Sequence, residues 1–364
     1  MASPPHARQA RSVAEIRNVD SVCPCARRVM MARMKVPERA HRQARRVIAG
    51  VAVTALAMTL GGCEWRAETE PPVWPSPDPL TLERDAAAMR EYQITAQLAG
   101  LTAGTAYSAT LSSLETRVAQ AHLDALGGVY VAYPEDEIPI LEQSLERAVR
   151  EARDGALNVA VHTEDADLAA LLSSIGLTHA FALWYSSIAS AQYAGVELEV
   201  GTEYQLPEIP GLGQAPLVPE TTDVNAQTLM DFAVAHDQAR YLYETIAARS
   251  IGTDRANAYA RMEVHLARSD ALATLAGIDD QRDAIYSVTA ASVTGPEAQA
   301  DSARLMEQSL GARYAATVTL GNGEDRLWLV NAAFEAFAAS ALLPGFTVEE
   351  FPAFPGITVL NAAG

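Results

Sequence analysis

From Leu80 onward, apolar residues recur three and four positions apart almost without a break, and no stretch sustains the two-residue alternation of a half-buried strand. This one pattern restricts the chain to helices packed on helices. In the first half it predicts helices over about 82–100, 105–127, 138–154 and 164–193, with Thr105 and Thr163 as N-caps and Gly127-Gly128 as a stop. The only strand-like piece, Val129-Tyr130-Val131, is too short to build a sheet. Eight glycines and prolines crowd Gly195–Pro219, so 194–221 reads as a linker or long crossover. Beyond it, Thr222 can cap a helix through about Ser250, Thr253 one that stops at Gly277, and Thr294 with Pro296 a third to about Leu320. After Gly321-Asn322-Gly323 a fourth runs to about Ala341. The expected fold is all-α. A helical domain (80–193) and a linker (194–221) lead to a four-helix bundle (222–342) and a C-terminal tail (343–364).

A faint repeat links the halves. Leu141-Glu142-Gln143-Ser144-Leu145 returns as Met306-Glu307-Gln308-Ser309-Leu310, each read on the third helix of its half. Leu126-Gly127-Gly128 likewise sits where Leu275-Ala276-Gly277 does, at the end of the second. The first domain is then either a divergent duplicate of the second or an unrelated bundle with chance matches.

Three motifs in the second half carry a family resemblance. They are His236-Asp237-Gln238-Ala239-Arg240-Tyr241-Leu242-Tyr243, His265-Leu266-Ala267-Arg268-Ser269-Asp270-Ala271-Leu272, and Phe354-Pro355-Gly356. Over about 225–357 the chain resembles the ferritin-like domain of unknown function found in actinobacterial proteins. That family has a Glu-His pair on its first helix, where this chain has His236 and Asp237 in the opposite order. Of the family's arginine-rich run before Asp-Ala-Leu, only Arg268 stands here. The resemblance implies a ferritin-like four-helix bundle.

A ferritin-like fold does not by itself bring iron. A standard di-iron site takes a Glu from each of two helices and Glu-x-x-His from each of the others, because residues i and i+3 share one inward face. Three positions before His122, His162, His179, His236 and His265 stand Ala119, Val159, Gly176, Ala233 and Met262. None is acidic, so no standard di-iron site is encoded. A looser metal centre could draw on Asp237, Glu244, Glu263, His265, Asp270, Glu307 and Glu335, although carboxylates on the helices of an acidic protein are usually solvated. The expected cofactor is therefore none, with a metal ion as the alternative. No Gly-x-Ser-x-Gly turn, His-Glu-x-x-His helix or dinucleotide fingerprint is present, so no catalytic residue is named. Phe181, Trp184 and Tyr185, and Tyr241 with Tyr243, read as core packing.

The first sixty residues are an address. Lys35, Arg39, Arg42, Arg45 and Arg46 precede the apolar run Val47–Leu60 and then Leu60-Gly61-Gly62-Cys63. A basic segment, a short apolar segment and small residues before a cysteine resemble a bacterial lipobox, which implies lipidation (palmitate included) of Cys63 after removal of 34–62. Residues 1–33 lack any period and read as a mis-assigned start, with Met30, Met31 or Met34 the initiator. Residues 63–79 hold Pro71, Pro72, Pro75, Pro77 and Pro79, a semi-rigid tether.

Charge narrows the function. Beyond Gly62 there are 16 basic and 42 acidic residues, a net of −26, which repels phosphate backbones and excludes nucleic acid as a partner. The only lysine is Lys35, which removes Schiff-base and phosphate-loop chemistry from the body. The expectation is a lipid-anchored protein on the extracytoplasmic face of the cell membrane. It would be non-enzymatic and bind an envelope protein or a small ligand. The alternative is a metal-dependent oxidoreductase using the carboxylates of the C-terminal bundle.

Overall fold

Eight α-helices account for most of the described residues. The computed structural model describes residues 77–101, 104–131, 137–196, 198 and 200–357. The leader, the lipobox with Cys63 and the tether as far as 76 lie outside the described residues. The helices are α1 (Pro79–Ala99), α2 (Ala106–Ala125), α3 (Leu145–His162), α4 (Ala166–Tyr193), α5 (Ala226–Arg249), α6 (Gly252–Ala276), α7 (Pro296–Thr317) and α8 (Gly323–Ala341). Among the described residues no strand forms beyond one isolated bridge between Ile209 and Gly213. The all-α reading holds.

Local chemistry sets the ends. Asp78, Thr105, Ser144, Asp165 and Asn225 each accept a backbone N–H in the first turn of the helix they precede. Four expected caps move, Thr294 among them: Gly295 precedes α7 with no side-chain cap, and the Thr294 hydroxyl donates to the Ala290 carbonyl instead. Thr163 closes α3 while Asp165 opens α4, and Thr222 yields to Asn225. Helix α6 starts at Gly252, ahead of Thr253, with no side-chain cap. Where two cap-forming residues lie three apart, sequence alone does not choose between them. The third helix starts at Leu145, not near 138, so Leu141–Ser144 precede α3 while Met306–Leu310 lie inside α7. The two copies of that pentapeptide are therefore not structural equivalents: Ser144 caps a helix, whereas Ser309 sits within one.

Helices α1–α4 form one four-helix group and α5–α8 another. In the first, α1 packs on α2 and α3, and α4 on α2 and α3; in the second, α5 packs on α6 and α7, and α7 on α8. The groups meet through α4 and α8, and Ser76–Gly364 forms a single compact unit. These two central helices are apolar nearly all round. Helix α4 is the only described helix long and apolar enough to cross a membrane, and 78% of its most apolar stretch is buried inside the protein, as a core helix requires. Phe181, Trp184 and Tyr185 do pack in this core, with Phe181 stacked on Phe351 at 3.9 Å.

Polar ties lock the seam. Arg326 of α8 donates to the carbonyls of Ala160 and Thr163, the last acceptors of α3, where a cation also meets the negative end of the helix dipole. Segment 194–221 is pinned rather than loose. Asn331 donates to the carbonyls of Ala215 and Pro216 and accepts the Leu206 amide, while Leu206, Ile209 and Leu217 enter the core.

The tail after α8 returns to the first bundle. Arg117 donates to the carbonyls of Val348 and Glu349, and Ala353 and Phe354 reach His122. Its Phe354-Pro355-Gly356 turn has a steric requirement. Gly356 has φ +78°, and a Cβ there would lie 2.4 Å from the backbone carbon of Ala315. Gly356→Ala should therefore cost ~1–3 kcal/mol of stability by chemical denaturation, because strain and clash both act against the turn.

Candidate functional site: two buried polar centres

Each bundle carries a cluster of fully buried charged or titratable side chains. In the second bundle the organiser is Arg261. Its Nε donates to Glu307 Oε1 at 2.6 Å and its Nη2 to Glu307 Oε2 at 2.8 Å. Nη1 donates to Glu335 Oε1 at 2.5 Å and to the Thr202 carbonyl at 3.4 Å, and Nη2 to Glu335 Oε2 at 3.1 Å. All five guanidinium N–H bonds are used. Arg268 adds a further bond to Glu335 and reaches Glu203. Two cations thus face two carboxylates, which is the condition for keeping charges out of water. Burial pushes Glu307 up, but Arg261 and His265 outweigh it and hold the carboxyl well below the usual range. Burial likewise pushes Glu335 up, and Arg261 with Arg268 brings it down.

A hydrogen-bonded row continues from Glu307. His265 Nε2 lies 3.1 Å from Glu307 Oε1, His265 Nδ1 lies 2.9 Å from His236 Nδ1, and His236 Nε2 lies 2.8 Å from the Tyr314 hydroxyl. One proton arrangement satisfies the row with both imidazoles neutral. Tyr314 donates to His236 Nε2, His236 Nδ1–H donates to His265 Nδ1, and His265 Nε2–H donates to the carboxylate. Electrostatics agree. Burial, then His265 and Arg268, press His236 well below its ordinary value, and burial with Arg261 lowers His265 in spite of Glu307. The Tyr243 hydroxyl also donates to Glu307, and burial with that carboxylate pushes its own pKa well up.

Of the residues proposed from sequence as metal ligands, His265, Glu307 and Glu335 converge here, but the two carboxylates are held by guanidinium groups and His265 is held between Glu307 and His236. Asp237 and Glu244 both pair with Arg240, at 2.6 and 2.8 Å. Asp270 is exposed and paired with Arg282 at 2.6 Å, and Glu263 is exposed on α6. The seven do not form one cluster.

The first bundle holds a centre that the sequence reading did not name. Glu91 of α1, Glu115 and His122 of α2 and His179 of α4 are all at most 1% exposed. His179 Nε2 meets Glu91 Oε1 at 2.7 Å and His179 Nδ1 meets Glu115 Oε1 at 3.1 Å. His122 Nε2 is 2.8 Å from the Ala353 carbonyl, while its Nδ1 faces Glu91 Oε2 at 3.4 Å. Burial lowers His179, but Glu115 and Glu91 raise it to about 10; burial raises Glu91, but His179 and His122 bring it to about 2. Ligand atoms of Glu91, His122 and His179 lie within 4.8 Å of one another.

The two centres occupy matching places. Glu115 and Arg261 are each the tenth residue of the second helix of their bundle, and His122 and Arg268 each the seventeenth. Asp124-Ala125-Leu126 and Asp270-Ala271-Leu272 follow in register. That triplet was the sequence signal for the first centre. A search restricted to Glu-x-x-His missed it, because Glu115 and His122 are seven apart, two turns along one face.

No family model matches the chain, and neither does any curated protein or solved structure.

Removing one partner of the second centre strands the others. Arg261→Met should destabilise by roughly 3–5 kcal/mol in urea titrations, since Glu307 and Glu335 lose their shared counter-ion. Adding Glu307→Gln should recover part of that loss, since Glu335 keeps Arg268 as its counter-ion. The pH response has a definite sign. His236 and His265 titrate lower in the folded chain than in the unfolded chain, so their contribution is complete above about pH 6.5 and declines as pH falls below it, by at most ~1.4 kcal/mol per pH unit per imidazole. Glu307 and Glu335 add a second loss below about pH 4.5. Urea midpoints measured from pH 7 to 4 should show both steps, and His236→Gln/His265→Gln should remove only the first.

Proposed function

We propose that this protein is a lipid-anchored, extracytoplasmic and non-enzymatic binding protein, and that its ferritin-like C-terminal bundle takes a small neutral ligand. The observation that carries the reading is a cleft of about 290 Å³ between α5, α6 and α7, directly beside the second polar centre. Its walls include Ile246, Ala258 and Leu343, with Ser250, Asn257 and Gln299 as polar groups, the exposed carboxylate of Asp254, which repels anions, and the buried Arg261. Arg261 has no donor left over, so it offers shape and dipoles rather than free charge. An apolar, uncharged molecule suits such a site better than an anion.

The centre itself supports a binding role over turnover. The carboxylates that a metal-dependent oxidoreductase would need are held by Arg261 and Arg268, and the adjoining imidazoles are neutral and saturated. The lipid anchor rests on the basic segment, the apolar run Val47–Leu60 and Cys63, and the proline-rich tether suits a body held off a surface.

A neutral fluorophore such as N-phenyl-1-naphthylamine should bind the purified chain, and Ala300→Phe, which fills the cleft, should weaken it at least tenfold with the far-ultraviolet circular dichroism unchanged. Binding insensitive to that change, or oxygen or peroxide consumption beyond that of free iron, would overturn the reading. Fatty-acid labelling in cells should mark the wild type and vanish in Cys63→Ser.

A further inference from the structure

The polar centre of the first bundle differs from that of the second in what it lacks. It gathers two carboxylates and two imidazoles and includes no guanidinium, and three of its buried atoms make no hydrogen bond, against Arg268 Nε alone in the second centre. Glu91 Oε2, Glu115 Oε2 and His122 Nδ1 make no hydrogen bond although each is fully enclosed. Glu91 Oε2 and His122 Nδ1 meet only each other, at 3.4 Å, and Glu115 Oε2 meets nothing, an enclosed arrangement that a cation held between the near atoms would satisfy.

The orientation of the rings says what that is. On His179, Nδ1 is held by Glu115 and Nε2 points at Glu91; on His122, Nε2 is held by the Ala353 carbonyl and Nδ1 points at Glu91. Each imidazole therefore has its far nitrogen fixed by an acceptor and its near nitrogen turned to the same carboxylate. Ligating histidines are usually held this way, with the outer N–H donated to a carboxylate or a carbonyl so that the inner nitrogen presents its lone pair. The rings cross almost perpendicularly, at 86°, and Phe354 closes against His122 with its ring 5.1 Å away.

We propose that the first bundle binds one divalent first-row transition ion through Glu91, His122 Nδ1 and His179 Nε2, with Glu115 and the Ala353 carbonyl as the groups that orient the two rings. Two imidazoles and one carboxylate suit zinc or ferrous iron and do not suit an ion that prefers oxygen alone. The ion would bring to this centre the positive charge that Arg261 supplies in the other bundle. Because the centre is enclosed, the ion is expected to enter as the chain folds. This inference concerns a different bundle from the ligand cleft, and either can fail alone.

The test uses the full chain, stripped with chelator in denaturant and refolded with zinc or with cobalt(II). One equivalent should be retained per chain after gel filtration. The cobalt form should show d–d absorption from nitrogen and oxygen donors with no thiolate charge-transfer band. His122→Gln and Glu91→Gln should each reduce affinity at least 100-fold, and Glu115→Gln roughly 10–100-fold as a group that only orients a ring. His265→Gln in the second bundle should leave stoichiometry and affinity unchanged. If Glu91→Gln fails to fold, Glu115→Gln and the wild-type cobalt spectrum decide. The proposal is overturned by refolded wild type that retains no ion, by wild-type affinity in His122→Gln, or by uptake that shows a thiolate band and disappears in Cys23→Ser/Cys25→Ser.

Discussion

The second bundle turns on one guanidinium. Arg261 joins α6 to α7 through Glu307 and to α8 through Glu335, three helices held by one planar group with no hydrogen left over. A charge so deeply enclosed is an expensive way to hold helices together, and matched apolar side chains would often do as well energetically. What it adds is register. A five-donor fork accepts two carboxylates in only one arrangement, so a slip of one residue along α7 or α8 would leave a bare charge in the core. Tyr243, His265, His236 and Tyr314 then inherit their orientations from Glu307 in sequence.

The two bundles are two solutions to one problem. Charged and polar groups enclosed between four packed helices must balance one another. In α5–α8 the balance comes from within the chain, through Arg261 and Arg268. In α1–α4 the same positions on the second helix carry Glu115 and His122, and the balance is incomplete. The second helices of the two bundles thus carry opposite charge at the matching positions Glu115 and Arg261.

Much of this architecture was legible in the sequence, because helices announce themselves by period and by the glycines and prolines between them. The fourth helix of the second half was bounded correctly by Gly321-Asn322-Gly323 and Pro344. Caps were less legible, since Thr222 and Asn225, or Thr163 and Asp165, are both competent and only tertiary contacts choose: Thr222 is drawn instead to Asp325. The polar centres were legible in part. His265, Glu307 and Glu335 stood out as carboxylates and imidazole, but their partner was an arginine, a residue that a search for metal ligands passes over. Glu91 and His179 are single polar residues on otherwise apolar faces, and nothing local marks them as facing each other across 88 positions.

The carbonyl of Ala353 has a consequence for how the molecule is made. The first bundle receives its last acceptor, and the aromatic ring against His122, from a turn 231 positions further along the chain. The four helices of the first bundle are therefore incomplete until α8 and the segment after it are in place: before that, His122 Nε2 has no protein acceptor and Thr178 has the Ser174 carbonyl alone.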